Sequence, residues 1–118
     1  MASVFLVEDA ALQQNIIERF LQSEHTVLGT ESDGNRALKR IEELDPDVVI
    51  MDINLPGLDG ISAAEAVTAR CPETEIIVST AIVTDEVRET AAELSVAAYL
   101  VKPYSKPELL EAIDEAVD

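Results

Sequence analysis

Apolar residues along this chain follow two alternating rhythms. Short runs rich in Val and Ile recur at Val4-Phe5-Leu6-Val7, Val48-Val49-Ile50-Met51, Ile76-Ile77-Val78 and Ala97-Ala98-Tyr99-Leu100-Val101. Runs of this kind read as strands covered on both faces. Between them, apolar positions return at helical spacing. Leu12, Ile16 and Phe20, with Ile17 and Leu21, predict an amphipathic helix from Ala10 to about Gln22. Ala37, Leu38, Ile41 and Leu44 predict a second, stopped at Asp45-Pro46 because proline disfavours helical backbone in the residue before it. Ile61, Ala64 and Val67 predict a third, starting at Asp59 or Gly60 and ending near Cys71-Pro72. Val83, Val87, Ala91 and Leu94 predict a fourth, and Leu109, Ile113, Ala116 and Val117 a closing fifth. Ser3 to Val7 is the first strand, and Thr26 to Glu31 a weaker second one before the turn Ser32-Asp33-Gly34.

Five strands alternating with five helices, most strands continuously apolar, specify an α/β fold whose parallel sheet is covered on both faces. The expected form is a doubly wound five-stranded sheet of order 2-1-3-4-5. The expected domain is a single one spanning residues 1–118, with no output domain in this chain. No linker, low-complexity segment or tandem repeat interrupts the alternation.

The third strand ends on Asp52, and the Pro and Gly residues of Asn54-Leu55-Pro56-Gly57-Leu58-Asp59-Gly60 mark a loop beyond it. Asp is a poor strand former and is rarely buried without a partner, so Asp52 needs a reason. Its side chain either ties down the following turn or is the reactive group of a site. Polar residues stand at the same place on other strands: Glu8 and Asp9 after the first, Thr80 after the fourth, Lys102 after the fifth. In a parallel sheet these ends share one edge, where doubly wound folds bind ligands. Two carboxylates about 4 Å apart repel by roughly 4 kcal/mol at an effective dielectric near 20. Glu8, Asp9 and Asp52 together therefore require either a protonated member or a hard divalent cation. Oxygen ligands with no His or Cys beside them favour Mg²⁺ over zinc. A carboxylate nucleophile, an Mg²⁺ ion, the Lys102 ammonium and the Thr80 hydroxyl are the parts needed to place a phosphoryl group on Asp52.

Composition narrows the partners. The 118 residues carry 24 acidic and 8 basic side chains, a formal net charge of −16. Phosphate backbones and anionic membranes need clustered Lys and Arg, so direct nucleic-acid or membrane binding is not expected. The acidic excess is spread along the chain, as on a surface adapted to molar salt, where charge repulsion is screened within about 3 Å. No apolar run reaches the length of a membrane span, and the N-terminal segment lacks a signal-peptide pattern. A single cysteine, Cys71, forms no internal disulfide and suits a cytoplasmic location. The one histidine, His25, lies among polar residues and is given no role.

The ordered set Val7-Glu8-Asp9, Asp52 to Gly60, Thr80-Ala81 and Tyr99-Leu100-Val101-Lys102-Pro103 resembles the receiver domain of two-component response regulators, single-domain chemotaxis-like type, over the whole chain. The resemblance implies a flavodoxin-like (βα)5 fold. It implies Asp52 as phosphoacceptor, with the phosphoryl group arriving from a histidine kinase or phosphotransfer protein. It further implies Asp9 and Asp52 as direct Mg²⁺ ligands, Glu8 acting through water and Asn54 through its backbone carbonyl. Lys102 would pair with the phosphoryl group, and the Lys102-Pro103 peptide would be cis. Thr80 and Tyr99 would form a switch that remodels the face of the fourth helix, fifth strand and fifth helix, altering the docking of a downstream target or fused output domain. Asn54 and Ile82 stand where the family tunes dephosphorylation, and an apolar Ile82 implies slower self-hydrolysis than a carboxylate there. Two departures stand out: the acidic pair is Glu-Asp where Asp-Asp is usual, and Ser95 replaces a frequent Gly before the fifth strand.

Taken singly, each residue has a plainer reading: Asp9 as a helix cap, Thr80 as a strand-end hydroxyl, Lys102 as a solvated charge, Tyr99 as core. Their joint placement favours a site. Two other functions fit the composition, a receiver-like interaction module that takes no phosphate and a small Mg²⁺-dependent phosphatase. The intact Asp52, Thr80 and Lys102 speak against the first. The absence of an acid-base residue or substrate insertion beside Asp52 speaks against the second, so no turnover of an external substrate is expected.

Overall fold

The computed structural model describes residues 1–55, 60–81 and 84–118. Five strands and five helices alternate as expected: β1 (Ser3–Val7), α1 (Ala11–Leu21), β2 (Thr26–Glu31), α2 (Gly34–Leu44), β3 (Val48–Met51), α3 (Gly60–Arg70), β4 (Glu75–Thr80), α4 (Asp85–Glu93), β5 (Ala98–Val101) and α5 (Lys106–Val117). All neighbouring strands run parallel in the order β2-β1-β3-β4-β5, the doubly wound arrangement predicted. Period-two alternation sorts each strand between two helical layers. Phe5, Val7, Val49, Met51, Ile76 and Val78 pack against Ala37, Ile41, Ala63, Ala64 and Val67 on one face. Val4, Leu6, Val48, Ile50 and Ile77 pack against Ile17, Leu21, Leu109 and Ile113 on the other. β1 and β3 are buried because both lie inside the sheet, whereas the edge strands β2 and β5 are half-buried. No helix among the described residues is long and apolar enough to cross a membrane.

Local chemistry sets the helix starts. Asp33 caps α2 by accepting from the Asn35 and Arg36 amides, Thr84 caps α4 through the Val87 amide, and Ser105 and Glu108 form a reciprocal capping box on α5. The capping role weighed for Asp9 is not found: Ala10 holds the N-cap position of α1 and no side chain caps it. Two helical stripes also differ from expectation. On α1 the sheet takes Ile17 and Leu21, leaving Leu12 72% exposed and Ile16 at the surface. On α5, Leu109, Ala112 and Ile113 are buried, while Val117 lies in the last turn and is exposed. His25 does have a structural role, since it is buried and its Nδ1 accepts from the Ala2 amide at 3.0 Å.

Gly60 begins α3 by direct backbone approach to the end of β3. Its amide donates to the Ile53 carbonyl at 3.1 Å, and a Cβ on it would fall 2.3 Å from both the Asp52 carbonyl oxygen and the Ile53 Cα. Only glycine fits there. Ser95, in the turn before β5, has φ 57°, the left-handed backbone that glycine adopts freely.

Candidate functional site at the carboxyl ends of the strands

Four of the five strands, β1, β3, β4 and β5, each deliver one part. β1 stops at Val7, and the Glu8 amide continues the ladder to the Glu31 carbonyl at 2.9 Å. β3 stops at Met51, and the Asp52 amide reaches the Val7 carbonyl at 2.9 Å, which sets Asp52 beside Glu8. The Lys102 amide donates to the Thr80 carbonyl at 2.8 Å, joining the ends of β5 and β4. Backbone pairing alone thus brings residues far apart in sequence to one edge, and Glu8, Asp52 and Thr80 are buried there.

The side chains converge on the Lys102 ammonium. It donates to Glu8 Oε1 and to Asp52 Oδ2, the latter at 3.2 Å. Glu8 Oε2 accepts from the Ala10 amide at 3.1 Å, and Asp52 Oδ1 from the Asn54 amide at 3.0 Å. The Asn54 contact shows that Asp52 ties down the following turn, the plainer reading of this residue. Glu8, Asp9 and Asp52 each present one carboxylate oxygen, and these lie within 4.8 Å of one another. Asp9 is exposed, on the solvent side of the cluster.

Burial pushes the Glu8 carboxyl above the ordinary glutamate range, with Asp52 adding to the rise and the bonds from Lys102 and Ala10 opposing it. Burial pulls the Lys102 ammonium the other way, but Glu8 and Asp52 outweigh it and hold the amine above the usual lysine range. One cation thus serves two buried anions with a third beside them. Oxygen donors alone make up the acidic cluster, a donor set that fits Mg²⁺ or another hard divalent ion.

The Lys102-Pro103 peptide bond is cis. Thr80 is buried at the end of β4, and Asn54 is exposed just beyond Asp52. Tyr99 is half-buried against the core, and the Arg88 guanidinium of α4 stacks over its ring 5.4 Å from the centroid. Ile82 and Val83 lie outside the described residues, as does the Pro56-Gly57-Leu58-Asp59 part of the loop motif. Sequence reasoning passed over one pair at this edge: Ser79 Oγ and Tyr104 Oη share a hydrogen bond of 2.8 Å. The available signals were a serine closing an apolar strand and a tyrosine directly after Lys102-Pro103.

Comparison with known proteins agrees with this geometry. A family model described as the response regulator receiver domain matches residues 4–114. The chemotaxis protein CheY of Halobacterium salinarum is 31% identical over 97% of this chain and 95% of its own length. The transcriptional regulatory protein PdtaR of Mycobacterium tuberculosis is 36% identical over 97% of this chain, which spans only 56% of that protein. Among solved structures, the signal receiver domain of a modulated diguanylate cyclase from Desulfovibrio desulfuricans superposes with a TM-score of 0.92 at 31% identity, over 99% of this chain and 94% of that one. A DNA-binding response regulator of the LuxR family from Staphylococcus aureus gives 0.94 at 27% identity, over the full length of both chains.

Proposed function

Because the chain belongs to the response-regulator receiver family, whose members act in phosphorylation-dependent signalling, we propose that Asp52 is the residue that takes the phosphoryl group. The observation that carries this reading is the Lys102 ammonium seated on Asp52 Oδ2 while Glu8 and Asp9 close on the same carboxylate. An Asp52 oxygen attacks the phosphorus of the donor. The new O–P bond forms as the donor's bond to phosphorus breaks, and the leaving group keeps the electron pair. No general base is needed, because the carboxylate attacks in its ionised form. Lys102 offsets charge on the phosphoryl oxygens, and Thr80 donates a hydrogen bond to one of them. Glu8, Asp9 and Asp52 would hold Mg²⁺, with the Asn54 carbonyl completing the protein ligands; the ion would supply charge neutralisation at the transferring group. The phosphoryl donor is a histidine kinase or a phosphotransfer protein. Thr80 and Tyr99 relay the new charge to the face of α4, β5 and α5, where a target protein or a fused output domain docks. Ile82 limits access of water to the acyl phosphate, with Asn54 as the other residue that tunes its lifetime.

The test is incubation with acetyl phosphate, with and without Mg²⁺, followed by intact-protein mass spectrometry. Wild type gains one phosphoryl group only with Mg²⁺, and Asp52→Asn gains none. A mass gain that survives in Asp52→Asn would overturn the assignment.

A further inference from the structure

Ser79 faces the layer of α1 and α5, on the side of the sheet opposite Thr80. Period-two alternation along β4 puts Ile77 and Ser79 on that face and Ile76, Val78 and Thr80 on the other. Ser79 is 1% exposed, so its hydroxyl needs a partner from within the protein. The partner is Tyr104, whose Oη lies 2.8 Å away. Tyr104 stands two residues past Lys102, across Pro103, and packs against the core of the α1 and α5 layer. A small cavity of about 70 Å³ lies between α1 and this turn, lined by Ile16, Ile17, Phe20, Lys102 and Tyr104. Burial raises the phenol above the usual tyrosine range despite the Ser79 bond, and Lys102, Glu8 and Asp52 all act on it electrostatically.

Two links therefore bind the same pair of strand ends. On the backbone, the Lys102 amide donates to the Thr80 carbonyl. On the side-chain level, Tyr104 and Ser79 join the residue after the Lys102-Pro103 turn to the residue before Thr80. Resting on the phosphoryl-transfer reading above, we infer that Tyr104 and Ser79 are positioning residues. Their bond fixes the turn that carries Lys102 against the end of β4, and so sets where the ammonium stands relative to Thr80 and Asp52. Neither residue touches the reacting atoms. The bond acts by narrowing the placements open to Lys102, and a misplaced charge costs rate at the transition state more than it costs donor binding.

The experiment measures phosphorylation of Asp52 by acetyl phosphate in wild type, Tyr104→Phe, Ser79→Ala, the double variant and Ser79→Thr. Tyr104→Phe and Ser79→Ala each slow the reaction at saturating donor by roughly threefold to tenfold, the scale of one hydrogen bond. The half-saturating donor and Mg²⁺ concentrations stay at wild-type values. The double variant is no slower than either single one, and Ser79→Thr, which keeps the hydroxyl, restores the rate. Wild-type rates in Tyr104→Phe, or a double variant whose loss is the product of the two singles, would overturn the inference. A second arm needs no phosphate: the amide resonances of Thr80 and Lys102 shift in Tyr104→Phe, and unmoved resonances likewise overturn the tether. If wild type takes no phosphoryl group from any donor, the phosphoryl-transfer reading fails by itself, and the resonances still judge the tether.

Discussion

Replacing Lys102 by Met keeps an unbranched side chain one atom shorter and removes the cation that, among the described residues, binds the acidic edge. In the wild-type protein the Lys102 side chain is 12% exposed and its ammonium touches two carboxylates whose side chains are 2% and 8% exposed. At 3.2 Å from Asp52 the pair attraction is about 5 kcal/mol at an effective dielectric of 20. With the cation gone, carboxylate oxygens within 4.8 Å repel by about 3.5 kcal/mol on the same basis. These gross terms are reduced by the desolvation that Lys102 itself no longer suffers. The expected net loss is about 3 kcal/mol at pH 7, at the lower end for breaking a buried ion pair. Urea unfolding followed by far-UV circular dichroism measures it, a suitable probe for a chain with no tryptophan. The dependence on pH has a definite sign. Glu8 is already raised by burial, so its contribution to stability is full at acid pH and declines as pH climbs through the raised value. Lys102 is also raised, and its contribution is present up to the alkaline range. The gap between wild type and Lys102→Met therefore opens as pH rises from acid to neutral. Mg²⁺ at 100 times its dissociation constant stabilises by about 2.7 kcal/mol, and relative to the metal-free protein it should rescue the variant more than wild type. A loss below about 1 kcal/mol, well under the value for a broken buried pair, or equal Mg²⁺ increments in both proteins, would refute the electrostatic reasoning.

Gly60→Ala drives a methyl group into the Asp52 and Ile53 backbone. It should lose about 3 kcal/mol in urea unfolding and phosphorylate poorly, and near-wild-type stability would show that the turn yields. Ser95→Gly removes a left-handed serine at φ 57°. The relief of about 1–2 kcal/mol exceeds glycine's entropic cost of about 0.5–1, so the urea midpoint should rise; an unchanged or lower midpoint argues for a compensating serine contact. The net charge of −16 makes repulsion a standing cost at low ionic strength. The melting temperature should climb by about 5 °C or more between low salt and molar KCl, and a flat profile removes the idea of a salt-adapted surface.

The order of elements was legible because two periods, near two and near 3.6, alternate cleanly from Val4 to the last helix. The site was legible because parallel strands must gather their carboxyl ends, whatever the loops between them do. What escaped was decided by contact across the fold. α1 carries two i, i+4 ladders one residue apart, Leu12-Ile16-Phe20 and Ile17-Leu21, and docking on the sheet buries the second while leaving Phe20 partly buried and Leu12 exposed. His25 looks solvated among its sequence neighbours, yet its partner Ala2 is 23 residues away. Gly60 reads as loop punctuation and as a start of the third helix, although what requires glycine there is the distance between two backbones. Ser79 and Tyr104 sit 25 residues apart on elements that pair only in the folded sheet. Asp9 was open to a capping role on local grounds, but Ala10 takes the N-cap position, and Asp9 instead contributes to the acidic cluster.

Glu8 is where the departure from the usual Asp-Asp pair has a physical consequence. Its carboxylate takes one bond of the Lys102 ammonium while Asp52 takes another. The resting edge holds three formal negative charges, from Glu8, Asp9 and Asp52, against one positive charge. A dication brings that balance to zero, which is why an oxygen-only cluster of this kind selects a hard divalent ion over a monovalent one. Under the proposed chemistry, turning the Asp52 carboxylate into an acyl phosphate adds roughly one further negative charge and places it next to Lys102. Glu8 and the phosphoryl oxygens then compete for the same ammonium. Phosphorylation should draw Lys102 from Glu8. Shortening Glu8 to Asp removes its reach to Lys102 and hence the competition. Glu8→Asp should therefore take phosphate from acetyl phosphate faster than wild type at equal Mg²⁺, while Glu8→Gln, which keeps the reach but not the charge, should need more Mg²⁺ for the same rate. Both rates come from the same time course of intact mass, and a Glu8→Asp rate at or below wild type would mean that Lys102 is not held back by Glu8.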